Sequence, residues 1–208
     1  MGKECGSRQL PLLSRQHNSR SAMLAQIFNL LLQVGVGLVC SACLLRLYMQ
    51  YHRVGLSARS GNPFGPFIFA LSDWLVLPLR RIVAPVGRWD SASLVAAYLL
   101  ELVKVVLLWL LAGAHGAAAQ MPLAALFGLA GMALSALSGL VIVFALLSWV
   151  HAHSPMADIV DRLVSPLLAP IRRFIPLVGG VDLSPLALLV LLQIASIILQ
   201  GLHFGAVG

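Results

Sequence analysis

Side chains able to do chemistry are sparse in this chain, and their spacing decides which of them can act together. Glu101 and Lys104 stand three residues apart inside a long apolar run, on one face of a helix. Each charge alone would cost ~2.5–3.5 kcal/mol at mid-membrane on insertion scales, so the two are expected as an ion pair turned toward protein. The functional reading is a proton or ion path. The structural reading is an intrahelical pair that orients its helix in a bundle, and it is preferred. Cys40 and Cys43 form a C-x-x-C pair, whose redox use needs the head of a helix in a thioredoxin-like unit. Within an apolar span, cysteine acts as a small hydrophobe, so packing is expected. With Cys5 the three cysteines make no disulfide framework. His151 and His153 diverge at i, i+2 on a helix and lack a third ligand nearby, so no metal is assigned. Ser135 and Ser138 have no histidine at a usable spacing. No catalytic residue and no cofactor are assigned, and the chain is read as a non-enzyme.

Basic residues carry the recurring pattern. Arg80-Arg81 follow Pro78, and Arg172-Arg173 follow Pro170. The same shift of 92 residues relates Pro63 to Pro155, Gly87 to Gly179 and Asp90 to Asp182, without a gap. A fixed shift through so many Pro, Gly and Arg positions marks a tandem repeat. Paired guanidinium forks beside an amphipathic helix suit the phosphate oxygens of anionic lipid headgroups, or a membrane-protein partner. Arg80, Arg81, Arg172 and Arg173, with Asp90, Asp182 and Trp74, are therefore the candidate lipid- or partner-binding residues. Topology setting and snorkelling are the structural reading of the same arginines.

The elements that must position them are hydrophobic. The chain has 208 residues, 60% hydrophobic and 10% charged, with mean hydropathy +0.93. A soluble domain carries about 25% charged residues. Four runs approach the ~20 apolar residues that cross a bilayer of ~30 Å. The fold class is an all-α integral membrane protein with four transmembrane helices as two tandem repeats, each with a proline-bracketed amphipathic interfacial helix. Residues 1–22 are a polar basic tail, disordered or preceding a working initiator at Met23. The first repeat covers 23–112, with helix 24–45 ending at a snorkelling Arg46, interfacial segment 63–79 and helix 91–112. The second covers 113–208, with helix 122–150, interfacial segment 155–174 and helix 185–202.

In the first interfacial segment Phe64, Phe67, Ile68, Leu71 and Leu75 recur at helical spacing, although the opposite side is apolar too. The second segment is cleaner: Met156, Ile159, Val160, Leu163, Val164, Leu167, Leu168 and Ile171 face Asp158, Asp161, Arg162 and Ser165. Asp90 is expected to cap the second span, and Asp182 or Ser184 the fourth. Gly128, Gly131, Ala133 and Ala136 offer the third span small-residue faces for close packing, and Ser135 and Ser138 are expected to bond within the bundle.

A net charge of +7 could point to nucleic acid, but the arginines sit between apolar runs, so no specific nucleic-acid role is expected. Arg46, Arg53, Arg59, Arg80, Arg81 and Arg88 lie in one loop, and Arg162, Arg172 and Arg173 after the third span. Positive-inside then places both arginine-tipped segments in the cytoplasm.

The motifs Leu44-Leu45-Arg46-Leu47-Tyr48-Met49-Gln50, Asn62-Pro63-Phe64, Pro78-Leu79-Arg80-Arg81 and Asp90-Ser91-Ala92-Ser93-Leu94 recur in part as Pro170-Ile171-Arg172-Arg173-Phe174-Ile175-Pro176 and Gly179-Gly180-Val181-Asp182-Leu183-Ser184-Pro185. From about Met23 onward the chain resembles the YGGT family of small bacterial and plastid membrane proteins. Ser154 stands where the first copy has Asn62, and Ala84 where the second has Pro176. The resemblance implies a multi-pass inner-membrane protein with no established enzymatic activity, linked to osmotic or salt tolerance. Plastid relatives are associated with haem attachment during cytochrome assembly, so haem enters by that analogy alone. The expectation is a membrane scaffold or assembly factor. The alternative is a small oligomeric ion channel or transporter using Glu101 and Lys104, although two-span units place the copies parallel rather than inverted.

Overall fold

In the computed structural model, residues 10–52, 54, 64–83, 90–114, 118–149, 154–173 and 182–207 are described. They form α1 (Leu10–Tyr51), α2 (Phe64–Arg80), α3 (Ser91–Leu111), a 3-10 turn (Ala118–Gln120), α4 (Met121–Trp149), α5 (Pro155–Arg172) and α6 (Ser184–Val207). Among the described residues there is no strand. Within these helices, Met23–Tyr51, Ser91–Leu111, Ala118–Ser148 and Ser184–Ala206 are long and apolar enough to cross a membrane. The chain is a multi-pass membrane protein by this measure.

The spans pack α1 on α3, α3 on α4 and α4 on α6, and α1 also reaches α4. The short α2 lies against α1 and α3, and the short α5 against α4 and α6. Small residues allow the close approaches. Ala92, Ala96 and Ala97 of α3 are buried against Cys40 and Cys43 of α1, with Val76 of α2 closing that cluster. A second cluster joins Val141 and Phe144 of α4 to Val160, Val164 and Leu168 of α5 and Leu188 of α6. Met49, Ile68 and Leu163 form a third, where α1, α2 and α5 meet. The outer ridges stay apolar and exposed, as at Leu31, Leu38, Val103, Ile142, Val190 and Ile197. Hydrocarbon, not water, is the solvent such ridges fit.

Local chemistry sets the ends. Ser154 caps α5 by accepting from the Ala157 backbone N–H at 3.2 Å, with Pro155 in the first position and Asp158 in the first turn. Asp182 Oδ1 accepts from the Ser184 N–H at 2.9 Å ahead of α6. Asp90 stands at the cap position of α3 but makes no side-chain cap bond. Its carboxylate is committed elsewhere.

Five expectations are corrected. α1 begins at Leu10, inside the stretch expected to be irregular, and it continues past Arg46 to Tyr51. Arg46 is thus inside a helix and 2% exposed, not snorkelling from a helix end. α2 buries Ile68, Ser72 and Val76, while Phe67 of the expected apolar face is 62% exposed. That helix also runs through Pro78, because in the last turn a missing N–H removes only one bond and Arg81, Ile82 and Val83 close the turn with their own amides. Ser138 donates to the Leu134 carbonyl of its own helix at 2.8 Å and Ser135 is exposed, so neither bonds across the bundle. His151, His153, Pro63 and Gly179 lie outside the described residues.

Candidate functional site

Where α1, α2 and α3 meet, a buried polar cluster replaces hydrophobic packing. Asp90 is 4% exposed at the head of α3. Its Oδ2 accepts from Arg80 Nη2 at 2.6 Å and from Ser93 Oγ at 2.7 Å, and Arg46 Nε lies 3.7 Å away. Arg46 reaches the other way with Nη1, donating to Asp73 Oδ1 at 2.6 Å and Ser72 Oγ at 2.9 Å. Ser72 in turn donates to the Ile68 carbonyl at 2.7 Å, one turn back in α2. The Phe69 ring covers the guanidinium, 4.9 Å from its carbon. With its amide nitrogen toward Asp90 Oδ2 at 3.2 Å, Gln50 also accepts from Arg80 at 3.1 Å. Arg46 is the pin. One nitrogen, Nη1, serves both Asp73 and Ser72, while Nε faces Asp90 at ion-pair distance without a hydrogen bond.

A simpler pair occupies the corresponding place between α5 and α6. Arg172 Nε donates to Asp182 Oδ2 at 2.9 Å, with both side chains partly exposed. Ninety-two residues on from Arg46, Gln50 and Asp73 stand Ser138, Ile142 and Ser165, so nothing there rebuilds the rest of the cluster. Tyr48 links the two regions, donating to the Leu163 carbonyl of α5 at 2.8 Å.

Burial pushes the Asp90 carboxyl up, but hydrogen bonds from Arg80 and Ser93 and the charges of Arg80 and Arg46 outweigh it, holding the group below its ordinary value. Asp182 is also lowered, burial again being outweighed, by hydrogen bonds from Ser184 and Arg172 and by the Arg172 charge. A depressed folded-state pKa stabilises the fold above the ordinary carboxylate range, and that contribution is lost as pH falls through the depressed value. Acidification should therefore loosen both helix ends. Asp90→Asn should cost on the order of 1.5–3 kcal/mol, the range for hydrogen bonds to charge. Asp182→Asn should cost ~0–1 kcal/mol, as for an exposed pair. Thermal melts in detergent across acidic pH check both. A D90N melt as pH-sensitive as the parent's would remove Asp90 from this role.

The expected ion pair forms: Lys104 Nζ meets Glu101 Oε2 within one turn of α3. Glu101 is fully buried, and Lys104 is mostly so. Glu101 packs on α4 at Gly128, where an added Cβ would lie 2.6 Å from Glu101 Oε2. Cys40 and Cys43 are free and fully buried in the apolar α1–α3 cluster. Among the described residues no group of three His, Cys, Asp or Glu could hold a metal ion.

The proposed arginines separate into two kinds. Arg80 and Arg172 each bind the aspartate ten residues on. Arg81 and Arg173 are exposed and make no ion pair among the described residues. Trp74 is 62% exposed, its indole N–H bonding the Leu71 carbonyl at 2.7 Å. Sequence reasoning missed Arg46, Ser72, Asp73, Gln50 and Ser93 as one cluster. Asp73 was the available signal, as the single acidic residue of α2.

A family model described as CCB3/YggT matches residues 23–111 and 123–203. The chain belongs to the CCB3/YggT family. It is 35% identical over 185 residues to the "Uncharacterized protein in proC 3'region" of Vibrio alginolyticus, covering 88% of this chain and 94% of that protein. It is 34% identical over 170 residues to "Uncharacterized protein YggT" of Escherichia coli strain K12, covering 79% and 84% of the two. No solved structure matches. The matched segments take in α2 and α5 and both arginine–aspartate pairs.

Proposed function

We propose that this CCB3/YggT protein is a non-enzymatic scaffold or assembly factor of the bacterial inner membrane, built as two tandem copies of a span–wedge–span unit. α2 and α5 are the wedges, lying at the cytoplasmic interface with their arginine tips at headgroup depth. The observation that carries the reading is the division within each Arg-Arg pair. Arg80 and Arg172 are spent on Asp90 and Asp182, which fixes the wedge to the following span. Arg81 and Arg173 remain exposed for anionic lipid phosphate, or for an acidic face of a membrane partner or second copy. The physiological role proposed is tolerance of osmotic or salt stress.

The test follows that division. Arg81→Gln with Arg173→Gln should abolish preference for phosphatidylglycerol over phosphatidylcholine, read by quenching of tryptophan with brominated lipids, while leaving the melting temperature within a few degrees. Arg80→Gln with Arg172→Gln should lower the melting temperature instead. Unchanged lipid preference in the first double variant, together with unchanged osmotic survival of cells carrying it, would sink the reading.

A second reading, a small oligomeric ion channel or transporter, draws on the buried Glu101–Lys104 pair at the middle of α3. Absence of flux through the purified protein in liposomes would eliminate it, and flux unaltered by Glu101→Gln would eliminate Glu101 as its site.

A further inference from the structure

Glu101 is the single acidic side chain within the four spans, and its bonding is incomplete. Lys104 Nζ meets Oε2, while Oε1 is buried without a hydrogen-bond partner among the described residues. A carboxylate oxygen lacking a donor is costly in apolar surroundings, so the group calls for one that its neighbours do not provide. We propose that the Glu101–Lys104 pair is a proton-binding site. Glu101 takes up one proton from water and becomes a neutral acid, leaving Lys104 to carry the charge of the site. The ion pair is the one that the channel reading above draws on, but binding a proton requires no flux.

The surroundings select a proton over larger donors. α1, α2 and α4 pack on α3. α4 brings no titratable side chain, and its Gly128 stands so close that an added Cβ would lie 2.6 Å from Oε2. α1 brings the buried Cys40, whose thiol faces the Ala97 carbonyl at 3.9 Å and senses both charges of the pair. Cys43 and Arg46 of α1 lie toward the head of α3, where Arg46 binds Asp73 and Arg80 binds Asp90. That junction is about 16 Å of helix away from Glu101. Within α3, Tyr98 donates to the Pro122 carbonyl at 3.2 Å. A hard metal cation takes about six oxygen ligands, and among the described residues no group of three His, Cys, Asp or Glu could hold one. A buried water needs 2–4 polar partners. A proton needs neither, and it cancels the carboxylate charge.

The loaded state has an acceptor at hand. Long helical side chains lean over the preceding turn, and there the Ala97 carbonyl takes only the weak Cys40 thiol besides its helix amide. One O–H bond forms, nothing leaves, and the site passes from neutral to singly positive. Lys104, with its side chain 15% exposed, then turns its ammonium toward the lipid interface on a long stem.

Glutamate occurs at positions 4 and 101 alone. In a Glu4→Gln chain synthesised with carbon-13 glutamate, every isotope-shifted carboxyl band in the infrared spectrum therefore belongs to Glu101. In phosphatidylcholine vesicles, acidification over the range in which the protein stays folded should raise the ratio of acid band to carboxylate band at least tenfold, reversibly. A carboxylate band that persists until the protein unfolds would overturn the proposal, because a purely structural ion pair behaves in that way. An acid band of constant size would overturn it too, since a trapped proton is never bound and released. Lys104→Gln removes the ammonium that opposes protonation, so the same ratio at neutral pH should rise at least tenfold in that variant; an unchanged ratio would remove Lys104 from the site and overturn the pair. The E4Q titration alters none of the described residues and decides alone where K104Q does not fold. Proton uptake without flux leaves this site standing and removes the channel reading. Flux with a carboxylate that never takes a proton does the opposite.

Discussion

Arg46→Met should loosen the α1–α2–α3 junction by ~3–5 kcal/mol, the cost of removing one partner from a buried ion pair. Methionine fills much of the same volume, so the loss is electrostatic. Ser72 and Asp73 would lose the Arg46 donor, and Asp90 would keep Arg80, Ser93 and Gln50 but lose the nearby Arg46 charge. Asp73 is 37% exposed and can recover water, which points to the lower end of that range. Arg46→Lys should recover only part of the loss, because a single ammonium cannot span acceptors on α2 and α3 together. Unfolding in mixed micelles gives the magnitude, and a cysteine reporter gives the place. A Val76→Cys thiol, fully buried beneath α2, should react slowly in the parent background and at least tenfold faster with R46M. Adding Asp90→Asn to R46M should cost less than the two single losses together, since the second change removes a charge that the first left underpaired. Strict additivity, or no change in thiol reactivity, would show that Arg46 is not what holds α2 down.

That junction also shows what the sequence could and could not disclose. Runs of apolar residues dictate four spans because backbone in hydrocarbon must satisfy its own hydrogen bonds, so the order of long and short helices was legible. The buried side of α5 was legible as well. Val160, Leu163, Val164 and Leu168 fall on one stripe opposite Asp158, Asp161 and Arg162, and burial follows that contrast. α2 offers no such contrast, being apolar nearly all round, and periodicity then leaves its orientation undetermined. What orients it is polar: Ser72 and Asp73 turn toward Arg46, which leaves Phe67 facing outward. Arg46 itself was misjudged because a long side chain near a helix end can reach water from many positions. Only the three-dimensional approach of Asp73 and Asp90 shows that it need not. The arginine pairs were legible as pairs, but their unequal roles depend on an aspartate ten residues away in each case.

Gly128→Ala should destabilise the α3–α4 contact even though alanine is the better helix former. In a helix interior the exchange favours alanine by about 1 kcal/mol. Against that stands a new Cβ 2.6 Å from Glu101 Oε2. An exposed carboxylate would swing aside at little cost. Glu101 is fully buried and tied to Lys104 of its own helix, so moving it either stretches an ion pair in apolar surroundings or pushes α4 away. Overpacking of this kind costs ~1–3 kcal/mol, so the net change should be a loss of up to about 2 kcal/mol. Glu101→Asp shortens the side chain by one methylene and should relieve most of it. The double variant G128A with E101D should therefore be more stable than the sum of the single effects by at least ~1 kcal/mol, a coupling measurable in a double-mutant cycle. If the two changes add, the glycine is present for some reason other than the carboxylate. Coupling would instead establish that a charged side chain in α3 requires a bare backbone in α4. The ion pair would then be a joint between the two halves, and any flux attributed to Glu101 would have to survive G128A to be separated from that joint.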